Sequence, residues 1–449
     1  MEIYILKLYL YIFYIIIIIE FIIFLFFYLN MYSANNFEFL PNSDENKLQL
    51  IFSKFDTPIN NISDIKKVFF NNKCYFFTKI EQKYQKEGED FIKIFANLKK
   101  LVFDINNLFP KKGIETLKTC DNKYIELNRK QVALIFLLSF FDLIDVKSAD
   151  NKNYFIVSNI LFTKYENTFQ FGRCFLNYLT VIGRWIAENN PILEEKIVFG
   201  RKNEKSNDYL EKSDVELCEL KLIDTKESLF NGDASYGIDF ANQYIGGGTL
   251  NGGCVQEEIL FAIEPEAIVS LFFMEVMDDN DAIAIFNTIQ YSKYDGYGWD
   301  FIYTGCAIDD KNIKKNRIIA IDAICVGSYG SYFAIKNEIN RDIHKAYVGF
   351  SLAKLDNNIP KTIATGNWGC GAFNGNHELK FIQQWIAASY AGIERLDYYT
   401  FKDKNMILVE KYYEKIKNKF KTARELYEAL ISVSTSNKGY IEGLLSIKL

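Results

Sequence analysis

Short apolar segments alternating with helical ones from about residue 196 onward set the tightest limit on the fold of this chain. "KIVFG", "LCELKLID", "YGIDF", "AIAIFN", "RIIAIDAIC", "KTIATG" and "LDYYTF" are rich in β-branched and aromatic residues and read as strands. "PEAIVSLFFMEV", "ELKFIQQWIAASYA" and "ARELYEALIS" read as helices. Such alternation builds a layered α/β domain, whose ligands sit at loops leaving the strand ends. Two glycine-rich loops occupy such junctions. "IGGGTLNGGCVQEEILFAIEPE" (245–266) follows "YGIDFAN", and "ATGNWGCGAF" (364–373) follows "KTIAT" and precedes a helix.

The region from 33 to 195 has another texture. "DFIKIFANLKKLVFDINNLFP" places Phe91, Ile94, Phe95, Leu98, Leu101, Val102, Ile105 and Leu108 on one helical face and stops at Pro110. A second helix is expected after Asn128, with Gln131 three residues on as a capping box and "VALIFLLSFFDLI" as its body. A third, "CFLNYLTVIGRWIAENNP", ends before Pro191. This region carries no catalytic pattern and is expected to be a helical accessory domain. Ahead of it, 1–32 form a hydrophobic leader interrupted by Lys7 and Glu20, either a membrane anchor or the product of a start assigned upstream of Met31. The expected division is therefore 1–32, 33–195 and 196–449.

Composition closes off several chemistries. With His344 and His377 as the only histidines, neither beside a nucleophile or ligand pattern, triads and histidine-rich metal sites are excluded and both histidines are expected to be structural. The eight cysteines are scattered singly, which gives no zinc ribbon and no disulfide framework, so reduced thiols in an intracellular protein are expected. "MDDND" (277–281) lacks calcium-loop spacing and reads as a solvated turn. No metal and no cofactor are expected. A net charge of -5 offers no global field for a polyanion, so attraction to an anionic ligand has to be local. Glycine loops at helix N-termini supply it, since their N–H groups approach phosphate oxygens closely.

Acid–base chemistry then falls to carboxylates. Glu257 and Glu258 lie in the first turn of the helix that follows the first loop, where the dipole favours acids in any protein. Adjacent helical positions diverge by about 100°, so one carboxyl can meet a scissile oxygen while the other holds a hydroxyl. Asp239, at the end of the preceding strand, is a third carboxyl expected nearby. Clustered carboxyls push their pKa values apart, as in the cleavage of glycosidic bonds. Glu264 and Glu266, further along on "EPE", are expected to be silent when substituted.

At these residues the chain resembles the poly(ADP-ribose) glycohydrolase family. "GGGTLNGGCVQEE" is similar to that family's signature, and "IDFAN", "QYSKYDGYG", "ATGNWGCGAF" and "YYTF" follow in the same order over roughly 195–435. The resemblance implies a macrodomain-like three-layer α/β fold with a mixed central sheet, preceded by an N-terminal helical accessory domain. It implies hydrolysis of ribose–ribose O-glycosidic bonds in poly(ADP-ribose), the reversal of ADP-ribosylation in the DNA damage response, by an enzyme without a cofactor. Glu258 would be the general acid and base, with Glu257 and Asp239 completing the centre. Asn242 and Gln256 would contact substrate, Gly246, Gly247 and Gly248 would hold the diphosphate, and Tyr297 would close over the ligand. Asn367, Trp368, Gly369, Cys370, Gly371, Ala372 and Phe373 would form the second loop, and Phe401 would pack on adenine. Further adenine contacts expected near "TKESLFNGD" depart from the family pattern and stay unassigned. In a chain that is 16% aromatic, Tyr294, Tyr297, Trp299 and Phe401 would each by itself be read as core packing, and Cys254 and Cys370 as small packing residues. Partners implied are poly(ADP-ribose) chains on modified proteins, with no direct nucleic acid and a membrane only through the leader, for a monomer in the nucleus or cytoplasm. The alternative is a non-catalytic macrodomain that reads ADP-ribose chains, which would not need all three carboxyls.

Overall fold

The computed structural model describes residues 44–447, apart from 111–112, 145–156, 213, 327–335, 356–358 and 434–438. The apolar leader and its Met31 boundary lie outside the described residues. Among those described, no helix is long and apolar enough to cross a membrane.

The first half is helical: α1 (Glu45–Asp56), α2 (Ile62–Phe70), α3 (Tyr75–Lys83), α4 (Gln85–Phe103), α5 (Arg129–Phe140) and α6 (Glu166–Ala187). Local chemistry starts and stops them. The expected capping box opens α5, with the Asn128 side chain accepting from the Gln131 N–H and the Gln131 side chain accepting from the Asn128 N–H. On α4 the expected apolar stripe is buried at Phe91, Phe95, Leu98, Leu101 and Val102. The third helix begins earlier than its apolar body suggests, at Glu166. Later helices are α7 (Gln256–Ile263), α8 (Lys336–Phe350), α9 (His377–Ala391), α10 (Ile407–Lys419), α11 (Ala423–Val433) and α12 (Tyr440–Ser446). The segment Pro265–Phe272, expected as a helix, winds as 3-10 turns.

Among the described residues the main sheet has eight strands: β1 (Lys123–Asn128), β2 (Lys196–Asn203), β3 (Glu219–Ile223), β4 (Tyr236–Ala241), β5 (Asp281–Ile289), β8 (Lys315–Asp322), β9 (Thr362–Gly366) and β10 (Arg395–Tyr399). A separate hairpin pairs β6 (Ser292–Asp295) with β7 (Ile302–Cys306). The order is β1-β2-β5-β8-β4-β9-β10-β3, antiparallel from β1 to β8 and parallel from β8 to β3. Alternate side chains feed two cores. Ile318 and Ala320 of β8 join the core that includes α4, α5 and α6, while Ile319 and Ile321 join the core that includes α8, α9 and α11. This is a three-layer α/β/α arrangement on a mixed sheet. The first core runs without interruption across residue 195, and β1, which lies within the region read as helical, extends the sheet from its edge.

"MDDND" is not a solvated turn. Asp281 is fully buried, pairs with Arg201 and accepts from the Asn203 amide, so the acid serves as an interior counter-ion. His344 is held between the Tyr209 hydroxyl at 3.2 Å and the Glu204 carbonyl, and His377 sits 3.1 Å from Asp403.

Candidate active site

Strand β4 hydrogen-bonds β9 only through Tyr236 and Gly237, although it stays paired with β8 to Ala241. Beyond Gly237 the two strands part toward the carboxyl ends of the parallel half of the sheet. The Gln256 side chain covers the β4 edge thus exposed. Its Oε1 accepts from the Phe240 N–H at 2.8 Å and its Nε2 donates to the Ile238 carbonyl at 3.2 Å. These bonds lock the start of α7 against β4. Gln256, expected to contact substrate, has its amide committed to the strand.

Below that lock the structure brings Asp239, Glu257 and Glu258 together. Glu257 Oε2 accepts from the Asn242 N–H at 2.9 Å and its Oε1 from the Gly246 N–H at 2.7 Å. Glu258 Oε1 accepts from the Gly248 N–H at 2.8 Å and its Oε2 from the Val255 N–H at 2.9 Å. The Gly247 N–H goes to the Tyr244 carbonyl at 3.0 Å. The triple glycine is therefore a cradle for carboxylates, and its three N–H groups are engaged inside the protein rather than left for a diphosphate. Glycine is required because the backbone comes so close. A Cβ on Gly247, whose φ is +47°, would lie 2.5 Å from Glu257 Oε2 and 2.6 Å from Glu258 Oε1, and one on Gly253 would lie 2.8 Å from the Glu258 carboxyl.

Electrostatics separates the three acids. Asp239 is fully buried, and neither of its oxygens has a hydrogen-bond partner. Burial, then the neighbouring Glu258 carboxylate, hold its pKa well above the ordinary carboxylate range. Burial, then Asp239 and Glu258, likewise raise Glu257, against the pull of the two N–H donors. Among the described residues no cation pairs with any of the three. Glu258 is the outermost at 7% exposure, against 3% for Glu257 and 0% for Asp239.

Tyr297 is 61% exposed overall, yet its hydroxyl end turns inward. Burial of that end, then the Glu258 carboxylate, push the phenol up to about 12, beside the Gln256 backbone. Asn242 makes a local turn, its Oδ1 accepting from the Tyr244 N–H at 3.0 Å. Residues that the sequence did not single out complete the support. From α6, the Asn167 Nδ2 donates to the Gly252 carbonyl at 2.6 Å and so pins the glycine loop to the helical region.

The second loop runs between β9 and α9, and its members divide. Trp368 is fully buried with its indole N–H on the Ile321 carbonyl at 2.9 Å, so this side chain, expected at the ligand, belongs to the core. The Asn367 Nδ2 donates to the Thr400 carbonyl and its Oδ1 accepts from the Tyr398 hydroxyl, both at 3.3 Å. Burial drives the Cys370 thiol up to about 12, which fits a packing residue. A Cβ on Gly369 would lie 2.5 Å from the Ala323 side chain. Phe373 is half-buried against the second core, with its carbonyl accepting from the Val326 N–H. Gly371 and Ala372 are exposed.

Phe401 and Lys402 both adopt left-handed backbone, at φ 56° and 55°, an uncommon state for residues other than glycine. Asp224, just after β3, holds this turn through bonds of 3.0 Å from the Thr400 hydroxyl and the Lys402 N–H. The Phe401 ring is laid over Gly366, where a Cβ would meet it at 2.6 Å. No signal in the sequence points to Asp224 or Asn167, because each acts across a long stretch of chain.

The family model for the macro-domain fold of poly(ADP-ribose) glycohydrolase matches residues 207–407, and the model for that enzyme's helical domain matches 83–201. Poly(ADP-ribose) glycohydrolase 1 of Arabidopsis thaliana is 28% identical over 367 residues, covering 65% of this chain and 66% of the plant protein. Poly(ADP-ribose) glycohydrolase 1 of Caenorhabditis elegans is 41% identical over 172 residues, 34% of this chain and 22% of the worm protein. The chain thus spans about two thirds of the plant relative's length. The crystal structure of poly(ADP-ribose) glycohydrolase from Thermomonospora curvata is similar at 14% identity and a TM-score of 0.31, over 45% of this chain and 75% of that one.

Proposed function

This chain belongs to the poly(ADP-ribose) glycohydrolase family of hydrolases, and from that premise we propose that its acidic centre cleaves the ribose–ribose O-glycosidic bonds of poly(ADP-ribose) and releases ADP-ribose. The observation that carries this reading is a cluster of three carboxyls, unpaired with any cation among the described residues, at the carboxyl end of β4, whose outermost member is Glu258. Burial and like-charge repulsion let Asp239 and Glu257 retain protons well above the ordinary carboxylate range, beside the outermost carboxyl.

In the proposed reaction Glu258 protonates the bridging ribose oxygen as the bond to the anomeric carbon breaks. Water then attacks that carbon and returns a proton to Glu258, so one water is consumed and the carboxyl is restored. Its two backbone bonds leave lone pairs for both steps, since a carboxylate offers about four acceptor sites. Glu257, pinned by Asn242 and Gly246, holds the ribose hydroxyls, and Asp239 lies buried behind them with its proton retained. Tyr297 closes over the ligand and Phe401 stacks on its adenine. With the N–H groups of the triple glycine engaged, the diphosphate falls to the exposed part of the second loop, at Gly371 and Ala372.

Incubation of the purified protein with poly(ADP-ribose) tests this. Release of monomeric ADP-ribose is expected, and binding of chains without release would replace the enzyme by a reader.

A further inference from the structure

The chain has four tryptophans, and three of them, Trp185, Trp368 and Trp385, are fully buried. Trp299 is 75% exposed, contrary to the packing role its aromatic character suggests. A lone exposed ring is ordinary on a protein surface, so its position has to carry the meaning. This one stands on the turn between β6 and β7, two residues after Tyr297, and β6 packs on α7, the helix of Glu257 and Glu258.

The turn is built to hold its shape. Gly296 has φ +78°, and a Cβ there would lie 2.0 Å from the Asp300 carbonyl oxygen. The Asp300 N–H donates to the Tyr297 carbonyl at 3.3 Å and the Phe301 N–H to the Gly298 carbonyl at 3.1 Å. Phe301 anchors the far side, buried against Phe171 and Tyr294 with ring centroids at 4.9 and 5.3 Å. Ile302, 52% exposed, continues the apolar surface beyond it. A preorganised exposed indole beside a substrate-closing tyrosine loses little entropy when a flat group settles on it.

We propose that Trp299 is a stacking platform for the adenine of the ADP-ribose unit next to the one being cleaved, so that this rim selects polymer over monomer. The inference rests on the reading of the site as a poly(ADP-ribose) hydrolase. The cleaved unit's adenine is taken by Phe401, whereas every further unit of a chain carries another. Base–aromatic stacking is how single strands are gripped without reading their sequence. The turn follows β6, which packs on α7, the helix of Glu257 and Glu258, and this proximity favours the polymer itself as occupant over a second copy of this chain.

The test uses the full chain with Trp299→Ala and Trp299→Phe. Because the side chain is exposed, both variants should fold, which thermal denaturation checks. Trp299→Ala should raise KM for purified poly(ADP-ribose) about tenfold, the loss that one stack accounts for, with kcat within about twofold. Trp299→Phe should retain most of the parent KM, and affinity for free ADP-ribose should be unchanged in both. In a Glu258→Gln background, polymer but not ADP-ribose should quench indole fluorescence, and Trp299→Phe should abolish that quenching. An unchanged KM in Trp299→Ala alongside normal parental turnover would sink the platform alone. An equal loss of ADP-ribose affinity would move the ring into the primary site, and a dimer dissociated by Trp299→Ala would make it a subunit contact. A parent protein that does not cut the polymer would take the functional reading down as well.

Discussion

Helix α7 carries a pair of glutamates at each end, and the two pairs live in opposite electrostatic surroundings. Glu257 and Glu258 accept only from backbone N–H groups, with Asp239 behind them and no cation among the described residues. At the other end, Glu266 is fully buried against Arg129 at 3.0 Å and accepts from the Tyr291 hydroxyl at 2.7 Å and the Ile289 N–H at 3.0 Å. Glu264 accepts from the Thr288 hydroxyl at 2.7 Å and from the Asn316 amide. Arg129 comes from the first residue of α5 and also reaches Glu195 and the Asn287 carbonyl, so this second pair ties the helical region to the segment that follows α7. An acid pair matched by a cation, hydroxyls and an amide is framework, whereas a pair held only by backbone N–H groups has no side-chain partner to lose. The expectation that Glu264 and Glu266 are silent is therefore corrected: both are interior groups whose loss leaves partners stranded.

The sharpest way to break this comparison is Glu258→Gln. Shape and hydrogen-bonding reach survive but the transferable proton is gone, so turnover of polymer should fall by about 10² to 10⁴, roughly 3 to 5 kcal/mol of transition-state stabilisation. Affinity for ADP-ribose, measured by titration calorimetry, should stay within about tenfold. Parental turnover in this variant would reassign the acid.

At the opposite end of the helix, Glu266→Ala should act on stability instead. Removing one partner of a buried pair typically costs about 3 to 5 kcal/mol, because the other charge is stranded. Thermal denaturation should register the loss, and replacing both Arg129 and Glu266 by Met should recover most of it. If Glu266→Ala unfolds at the parental temperature, the pair is not framework.

Glu264 sharpens the comparison through pH. Burial raises its pKa from 4.5 to about 7, so the folded protein keeps a proton that the unfolded chain releases. Its contribution to stability is complete below about pH 4.5 and is lost as pH rises through about 7, a change of roughly 3 kcal/mol. Denaturant titrations at pH 5 and 8 should show this fall in the parent and a flatter profile in Glu264→Gln. Equal slopes would mean that Glu264 does not titrate in that window.

The smallest expected effect on folding comes from Gly247→Ala. A methyl group there meets the carboxylates of Glu257 and Glu258 and strains a left-handed backbone, which should cost about 1 to 2 kcal/mol of stability. Turnover should drop more than stability does, since the carboxylates are displaced. An active Gly247→Ala enzyme would show that their placement tolerates the shift.

Much of this was legible in the sequence where the cause is local. The Asn128 and Gln131 capping box, the buried face of α4, and the strands that become β4, β8, β9 and β10 each follow from residues a few positions apart. The block order around "GGGTLNGGCVQEE" located Asp239, Glu257 and Glu258 as one cluster. Trp368 was misjudged because an apolar residue inside a glycine loop reads the same whether its ring faces ligand or core. Trp299 was misjudged in the other direction, for the same reason.

By itself the sequence determined the alternation of elements, the starts and stops of the helices, and the chemistry available, since propensity, capping and residue type are properties of short stretches. Only the tertiary structure decided what each polar group faces. The parting of β4 from β9 committed Gln256 to a strand edge, and the approach of the loop backbone turned the triple glycine into a carboxylate cradle. Packing of α5 and α6 delivered Arg129 to Glu266 and Asn167 to Gly252. These pairings join residues from about 10 to more than 130 positions apart, and the free energy of a charge depends on which partner and how much water lie within a few ångströms of it, which no local pattern records.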